Sequence, residues 1–227
     1  QNQFGYWAPC VRRISKDLYR MYYVVTLPGT INGAGTWSER CFIGLMKTKN
    51  PADIDSWVDK GFVVTNYSDL ELNYKVSATD YAHCYFKYNA IDPSLTINEK
   101  GEHWLIYGSW HSGFAAMQLD PSTGKPLHAL GNPWGKENEA SYGKFIYTRQ
   151  LGNRWQASEA PEVVYHDGYY YLFIAYDELS VAYNTRVVRS KNIDGPYYDI
   201  TGKDVTNHGG DAYPILTHPY KFGNHHG

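Results

Sequence analysis

In this 227-residue chain Asp92 directly precedes a proline in "AIDPS" and Glu159 stands two residues before one in "SEAPE". Glu159 leads into "EVVYHDGYYYLF", a stretch apolar and aromatic enough for a buried strand. Glu and Pro both weaken strands, so the sequence puts "SEAP" in the loop at that strand's mouth. A carboxylate there is either a structural hydrogen-bond acceptor or a chemical group. Two carboxylates sharing a concave, partly desolvated site can do proton chemistry, because each disfavours the ionised form of the other and one can then act as a general acid near neutral pH.

The elements that must position these groups repeat. "YWAPCVRRISKDLYRMYYVV" with "CFIGLMKTKNPADI", "AIDPSLTINEKGEHWLIYGSW" with "GFAAMQLDPSTGKP", and "SEAPEVVYHDGYYYLFIAY" with "TRVVRSKNIDGPY" share one order of parts. Each has a proline-marked start, an apolar strand, a polar or glycine turn, an aromatic strand and a third strand. The marker prolines Pro9, Pro93 and Pro161 lie 84 and 68 residues apart, a spacing that suits four-stranded blades with long loops. No stretch keeps the spacing, cap and stop of an amphipathic helix. The expected class is all-β, built of β-propeller blades whose innermost strands surround an axis. On that geometry Asp92 and Glu159 occupy equivalent places in neighbouring blades and face the axis together.

Composition excludes several alternatives. A formal net charge of -2 without a basic run argues against a nucleic-acid partner. No apolar run is long enough for a membrane span. Cys10, Cys41 and Cys84 form neither a metal pattern nor an even disulfide set, so one disulfide at most is expected. The opening "QNQFGYWAP" carries no basic and apolar signal-peptide regions. Nucleotide-binding, zinc-protease, serine-hydrolase and calcium-loop motifs are absent. The 22 Tyr and 7 Trp suit strands and also suit a surface that stacks sugar rings. "NYS" at Asn66 is a glycosylation sequon by pattern.

The ordered set "YWAP", "NAIDPS" with "YGSWHSG", and "SEAPEVVYHDGYYYLF" with "TRVVRSKNIDGPY" resembles the successive blade motifs of glycoside hydrolase family 43, five-bladed propeller enzymes acting on arabinan and xylan, most closely the arabinanases. The resemblance covers nearly the whole chain. It implies an inverting glycosidase in which Glu159 is the general acid and Asp92 tunes and orients it. It also implies a second aspartate as general base, in a His-Asp-Pro type motif that this chain does not contain; Asp53, Asp80, Asp120 and Asp167 all read as turn residues. Cys10 stands where the family often has Asp.

Further site candidates are Trp7 as a stacking platform or a core ring, Asn89 before the "IDP" strand, and Ser109 and Trp110 at the end of "WLIYGSW". Arg186 either reaches the site or pairs with an acid between blades. The chemistry requires no cofactor; a calcium or sodium ion near the axis is expected from the family, with "NHHG" at 224–227 as a histidine source.

The substrate expected is a plant cell-wall polysaccharide or oligosaccharide, cleaved at α-L-arabinofuranosyl linkages by an endo-1,5-arabinanase type of action, in an extracellular or periplasmic setting. Residues 1–227 are expected to form a single catalytic propeller domain, incomplete, with about three of five blades and a first blade and a last part missing. The competing readings are a non-catalytic carbohydrate-binding propeller, a family 43 β-xylosidase or arabinofuranosidase, and a related fructan or sialic acid enzyme.

Overall fold

The computed structural model describes residues 5–26, 41–66, 88–110, 113–131, 142–149, 156–178, 183–206 and 213–216. Within them the chain forms three four-stranded antiparallel sheets, each a meander. The first holds β1 (Gly5–Ser15), β2 (Leu18–Thr26), β3 (Cys41–Thr48) and β4 (Val58–Thr65). The second holds β5 (Ser94–Ile97), β6 (His103–Tyr107), β7 (Phe114–Leu119) and β8 (Lys144–Tyr147). The third holds β9 (Ser158–His166), β10 (Tyr169–Tyr176), β11 (Asn184–Ser190) and β12 (Tyr213–Leu216). These sheets are propeller blades: β1, β5 and β9 start them, and β5 lies against both of the others.

Alternation along the middle sheet explains how the blades stack. In β6 and β7, Leu105, Tyr107, Ala115 and Met117 face the first sheet and pack with Tyr22, Val24, Ile43 and Leu45. Ile106, Phe114 and Ala116 face the third sheet and pack with Leu172, Ile174 and Val188. Both faces are buried, so these strands read as nearly continuous apolar runs rather than alternating ones. The outermost faces differ. Val11 and Phe62 on the first sheet and Val164 and Tyr198 beside the third remain substantially exposed.

One local device recurs at the start of each blade. Ala8, Asp92 and Ala160 each directly precede the marker proline and adopt left-handed backbone, with φ of 42°, 54° and 52°. Such residues cost about 1–3 kcal/mol each and persist only where the surroundings hold them. In the first and third sheets the result is the same bulge: Trp7 pairs with Val24 and Cys10 with Tyr22, just as Glu159 pairs with Ala175 and Glu162 with Phe173. "SEAP" therefore lies inside β9 and not in a loop ahead of it. The bulge reconciles Glu and Pro with the strand, since the extra residues leave the ladder.

The bulge also corrects the equivalence of the two carboxylates. Asp92 matches Ala8 and Ala160, one residue before proline, whereas Glu159 matches Trp7, two before it. Asn66 departs from the sequon reading: it is fully buried, its Nδ2 donates to Asn89 Oδ1 at 2.5 Å and its Oδ1 accepts from Ala90 N at 2.7 Å. Cys10 and Cys41 are buried; Cys84 and Asp80 lie outside the described residues.

Candidate active site

Glu159 lies in β9 at the bulge and is half-buried, and three donors from two blades meet its carboxylate. Trp110 Nε1 donates to Oε2 at 3.1 Å, and Ser109 Oγ donates to the same oxygen at 3.3 Å. The Tyr183 hydroxyl, from just ahead of β11, donates to Oε1. Asp92, from the middle blade, does not bond the Glu159 side chain directly; its Oδ2 accepts from the Ala160 amide at 2.9 Å, the peptide next to Glu159. The carboxylate of one blade thus pins the bulge that aims the carboxylate of the next.

The "YGSW" turn reaches Glu159 because of its backbone. Gly108 has φ of 135°, and a Cβ there would sit 2.3 Å from the Gly113 carbonyl oxygen, so no other residue fits. Trp110 follows with φ of 58°. Its amide donates to Ser158 O at 2.9 Å and its carbonyl accepts from Gln156 N at 2.7 Å, which seals the turn onto the strand that carries Glu159. Asn89 lies underneath, buried, with Nδ2 donating to Ser109 O at 3.0 Å.

Glu159, Asp92, Ser109, Trp110 and Asn89 come together, as the sequence proposes. The described contacts of Trp7 and Arg186 are with other residues. Trp7 lines a separate hollow with Met21, Tyr23, Met46 and Asp59. Arg186 stacks on Tyr176, its Cζ 3.6 Å from the ring centre, and Nε donates to Asn184 Oδ1 at 3.0 Å. Tyr183 is the residue that sequence reading misses. Burial, and then the adjacent Glu159 carboxylate and the Asp92 charge, push its phenol well above the ordinary tyrosine range, so it works as a hydrogen-bond partner and not as a base.

On the axis a cavity of about 220 Å³ is lined by Ala8, Asp92 and Ala160 with their prolines. Beside it, Arg12 Nη2 meets Glu162 Oε1 at 2.5 Å and Ser94 Oγ donates to Glu162 Oε2 at 2.7 Å, joining all three blades. Among the described residues no three His, Cys, Asp or Glu side chains converge. Glu162 meets Arg12 and Ser94, and Asp92 Oδ2 accepts from the Ala160 amide. His225 and His226 lie outside the described residues.

Residues 1–219 match the model of glycosyl hydrolases family 43. The chain belongs to that family. It is 33% identical over 206 residues to an extracellular endo-α-(1→5)-L-arabinanase of Thermotoga petrophila, covering 88% of this chain and 38% of that protein. It is 31% identical over 214 residues to the extracellular endo-α-(1→5)-L-arabinanase 1 of Bacillus subtilis, covering 92% of this chain and 53% of that one. The crystal structure of an exo-1,5-α-L-arabinanase from a bovine ruminal metagenomic library superposes with a TM-score of 0.68 at 32% identity, covering 94% of this chain and 60% of that one. The chain thus spans about half the length of the curated relatives it matches, or less, and three fifths of that solved chain. No helix among the described residues is long and apolar enough to cross a membrane.

Proposed function

We propose that this chain carries the proton-donating half of a glycosidase that cleaves α-1,5-linked L-arabinofuranosyl units of arabinan with inversion. Glu159 is the general acid and Asp92 the group that orients it. The observation that carries this reading is the Glu159 carboxylate, half-buried at a blade mouth and held by Ser109 and Trp110 from one blade and Tyr183 from the next. A side chain bonded for stability alone would have no need of solvent access. Held in this way, Glu159 delivers its proton to the leaving glycosidic oxygen as the bond to the anomeric carbon breaks, while water adds to that carbon from the opposite face. The base that activates the water is a second carboxylate, expected about 6.5–9.5 Å from Glu159.

The family and the activities by which its relatives are named support the substrate class, and a related α-L-arabinanase of Cellvibrio cellulosa, 25% identical, has been crystallised with arabinohexaose. The relatives' names also support an extracellular setting. The reaction as proposed draws on carboxylates and water. The apolar residues on the outer faces of the first and third sheets, Val11 and Phe62 on one and Val164 and Tyr198 at the other, are seats for further blades of the same propeller. A structure of the natural protein in which both faces stay open to solvent would refute that assignment.

The test is Glu159→Gln in the natural full-length protein. Turnover of linear arabinan falls by about 10²–10⁴-fold with the fold unchanged by circular dichroism, whereas an aryl arabinofuranoside, whose leaving group needs little protonation, loses far less. Equal losses on both substrates would show that Glu159 is not the acid.

A further inference from the structure

The arrangement of donors around Glu159 distinguishes its two oxygens. An indole N–H can only donate, so Trp110 Nε1, 3.1 Å from Oε2, requires a lone pair there in every protonation state. Ser109 Oγ, 3.3 Å away, adds a second donor to the same oxygen. When Glu159 carries a proton, Oε1 is the oxygen that holds it. The only hydrogen bond that Oε1 receives from a described side chain comes from Tyr183. A phenol, unlike an indole, both donates and accepts.

We propose that Tyr183 is the positioning residue of the proton-bearing oxygen: it fixes Oε1 toward the substrate, and its hydroxyl donates to Oε1 when Glu159 is ionised and turns away or accepts when Glu159 is protonated. This rests on Glu159 being the general acid. The proton leaves Oε1 for the glycosidic oxygen, the electron pair of the broken glycosidic bond stays on that oxygen, and Tyr183 meets the new carboxylate with its O–H. No proton leaves the phenol. Burial suits this task, since Tyr183 is 1% exposed and its ring has no freedom to leave. Asn184, the next residue, pairs with Tyr176 at the start of β11, which sets the height of the phenol relative to Glu159.

Removing the hydroxyl removes a hydrogen bond that favours the ionised acid. In the natural full-length protein, Tyr183→Phe therefore moves the basic limb of the kcat/KM profile on arabinan upward by about one pH unit. The value of kcat on arabinan drops about tenfold while KM and turnover of an aryl arabinofuranoside hold, because aim matters only where the leaving group must be protonated. Incorporation of 3,5-difluorotyrosine at 183 keeps the shape and strengthens the donor, and it moves the same limb downward; this variant decides the matter if Tyr183→Phe fails to fold. A basic limb unmoved in the folded variants, with the arabinan-to-aryl ratio of the wild type, overturns the proposal. Comparison with Glu159→Gln separates the two readings: if that variant behaves as expected and the Tyr183 variants do not, Glu159 is the acid and Tyr183 only packing. If Glu159→Gln loses both substrates equally, the reading beneath this proposal has failed instead.

Discussion

The seam between the first and middle blades and the seam between the middle and third blades are built from the same repeat and do different work. At the first seam Arg20, fully buried on β2, reaches across to the middle blade: Nη2 donates to Pro121 O at 2.7 Å and Ser122 O at 3.1 Å, and Nη1 lies 3.2 Å from His103 Nδ1. Tyr22 OH donates to Gly124 O at 3.0 Å, and Lys125 Nζ returns to Gly61 O at 2.8 Å. Most of these contacts set a cation or a phenol on a backbone carbonyl. At the second seam the acceptors are carboxylates near the axis, Asp92 on the Ala160 amide and Glu159 under Trp110 and Ser109. The backbone device is common, and the residue one or two places before proline decides whether a seam clasps or reacts. Reaction needs a group whose protonation can change; clasping needs one whose charge stays fixed.

The largest expected effect tests the reactive seam. Asp92→Ala leaves the Ala160 amide without its carboxylate, loosens the bulge that aims Glu159, and lowers kcat on arabinan by about 10²-fold. Asp92→Asn keeps an acceptor and tolerates the left-handed backbone, so its loss is smaller and reports the charge alone. If the two variants are equally impaired, charge and not aim is what Asp92 supplies. If neither is impaired, the second seam is a clasp like the first.

Much of this architecture was readable in the residues, and what was not has physical causes. The three inner strands of each blade announce themselves through "SKDLY", "NEKGEH" and "HDGY", turns flanked by apolar runs. The outer strands β4, β8 and β12 do not, because "VDKGFVVT", "KFIY" and "YPIL" are short or polar and are fixed by pairing rather than by their own pattern. Glu159 and Asp92 were visible as acids beside prolines, but their one-residue offset and the bulge depend on pairing that no local propensity encodes. Tyr183 is one of 22 tyrosines, and "AYNTR" gives it no mark; only the register of β11 brings it to Glu159. Arg20 did leave a trace, since alternation in "LYRMYYVV" puts it on the same face as Tyr22 and Val24, where a cation demands a buried partner.

An intermediate effect tests the clasp. Arg20→Met removes the hydrogen bonds to Pro121 and Ser122 and strands both carbonyls, which costs about 3 kcal/mol of stability in denaturant unfolding while kcat of the protein still folded stays near wild type. A loss of kcat without loss of stability would break the contrast between the seams. The same contact has a pH signature. Arg20 can only donate, so His103 Nδ1 accepts and the ring is neutral in the folded state. Burial, and then the Arg20 charge, lower its pKa below the ordinary 6.5, with Asp120 opposing. Above 6.5 neither folded nor unfolded His103 binds a proton. As pH falls through 6.5 the unfolded state gains one first, so stability is lost on acidification and levels off once the folded value is passed. His103→Gln removes this part of the acid sensitivity between pH 7 and pH 5, measured as the difference of unfolding free energies.

The smallest expected effect concerns Trp7, which could carry the first blade into the chemistry after all. Trp7 holds the strand position that Glu159 holds in the third blade: two residues before proline, ahead of the same bulge, opposite Val24 as Glu159 is opposite Ala175. Its ring is 39% exposed, and a Cβ on Gly5 would come within 2.9 Å of Trp7 Nε1, so a glycine is needed to let the indole lie where it does. The hollow it lines also holds Met21, Tyr23 and Met46, apolar partners that suit packing against protein as well as against a sugar face. The two roles separate by measurement. As a platform at the rim of a groove, Trp7→Ala raises KM for arabino-oligosaccharides about three- to tenfold, equivalent to about 1 kcal/mol of lost ring contact, with kcat and Tm unchanged and the effect confined to substrates long enough to reach it. As packing, the same variant lowers Tm and leaves KM alone. The first outcome would make the mouth of every described blade a contributor to binding or chemistry, with the clasp at Arg20 serving to hold that rim in place; the second would confine function to the seam between the middle and third blades.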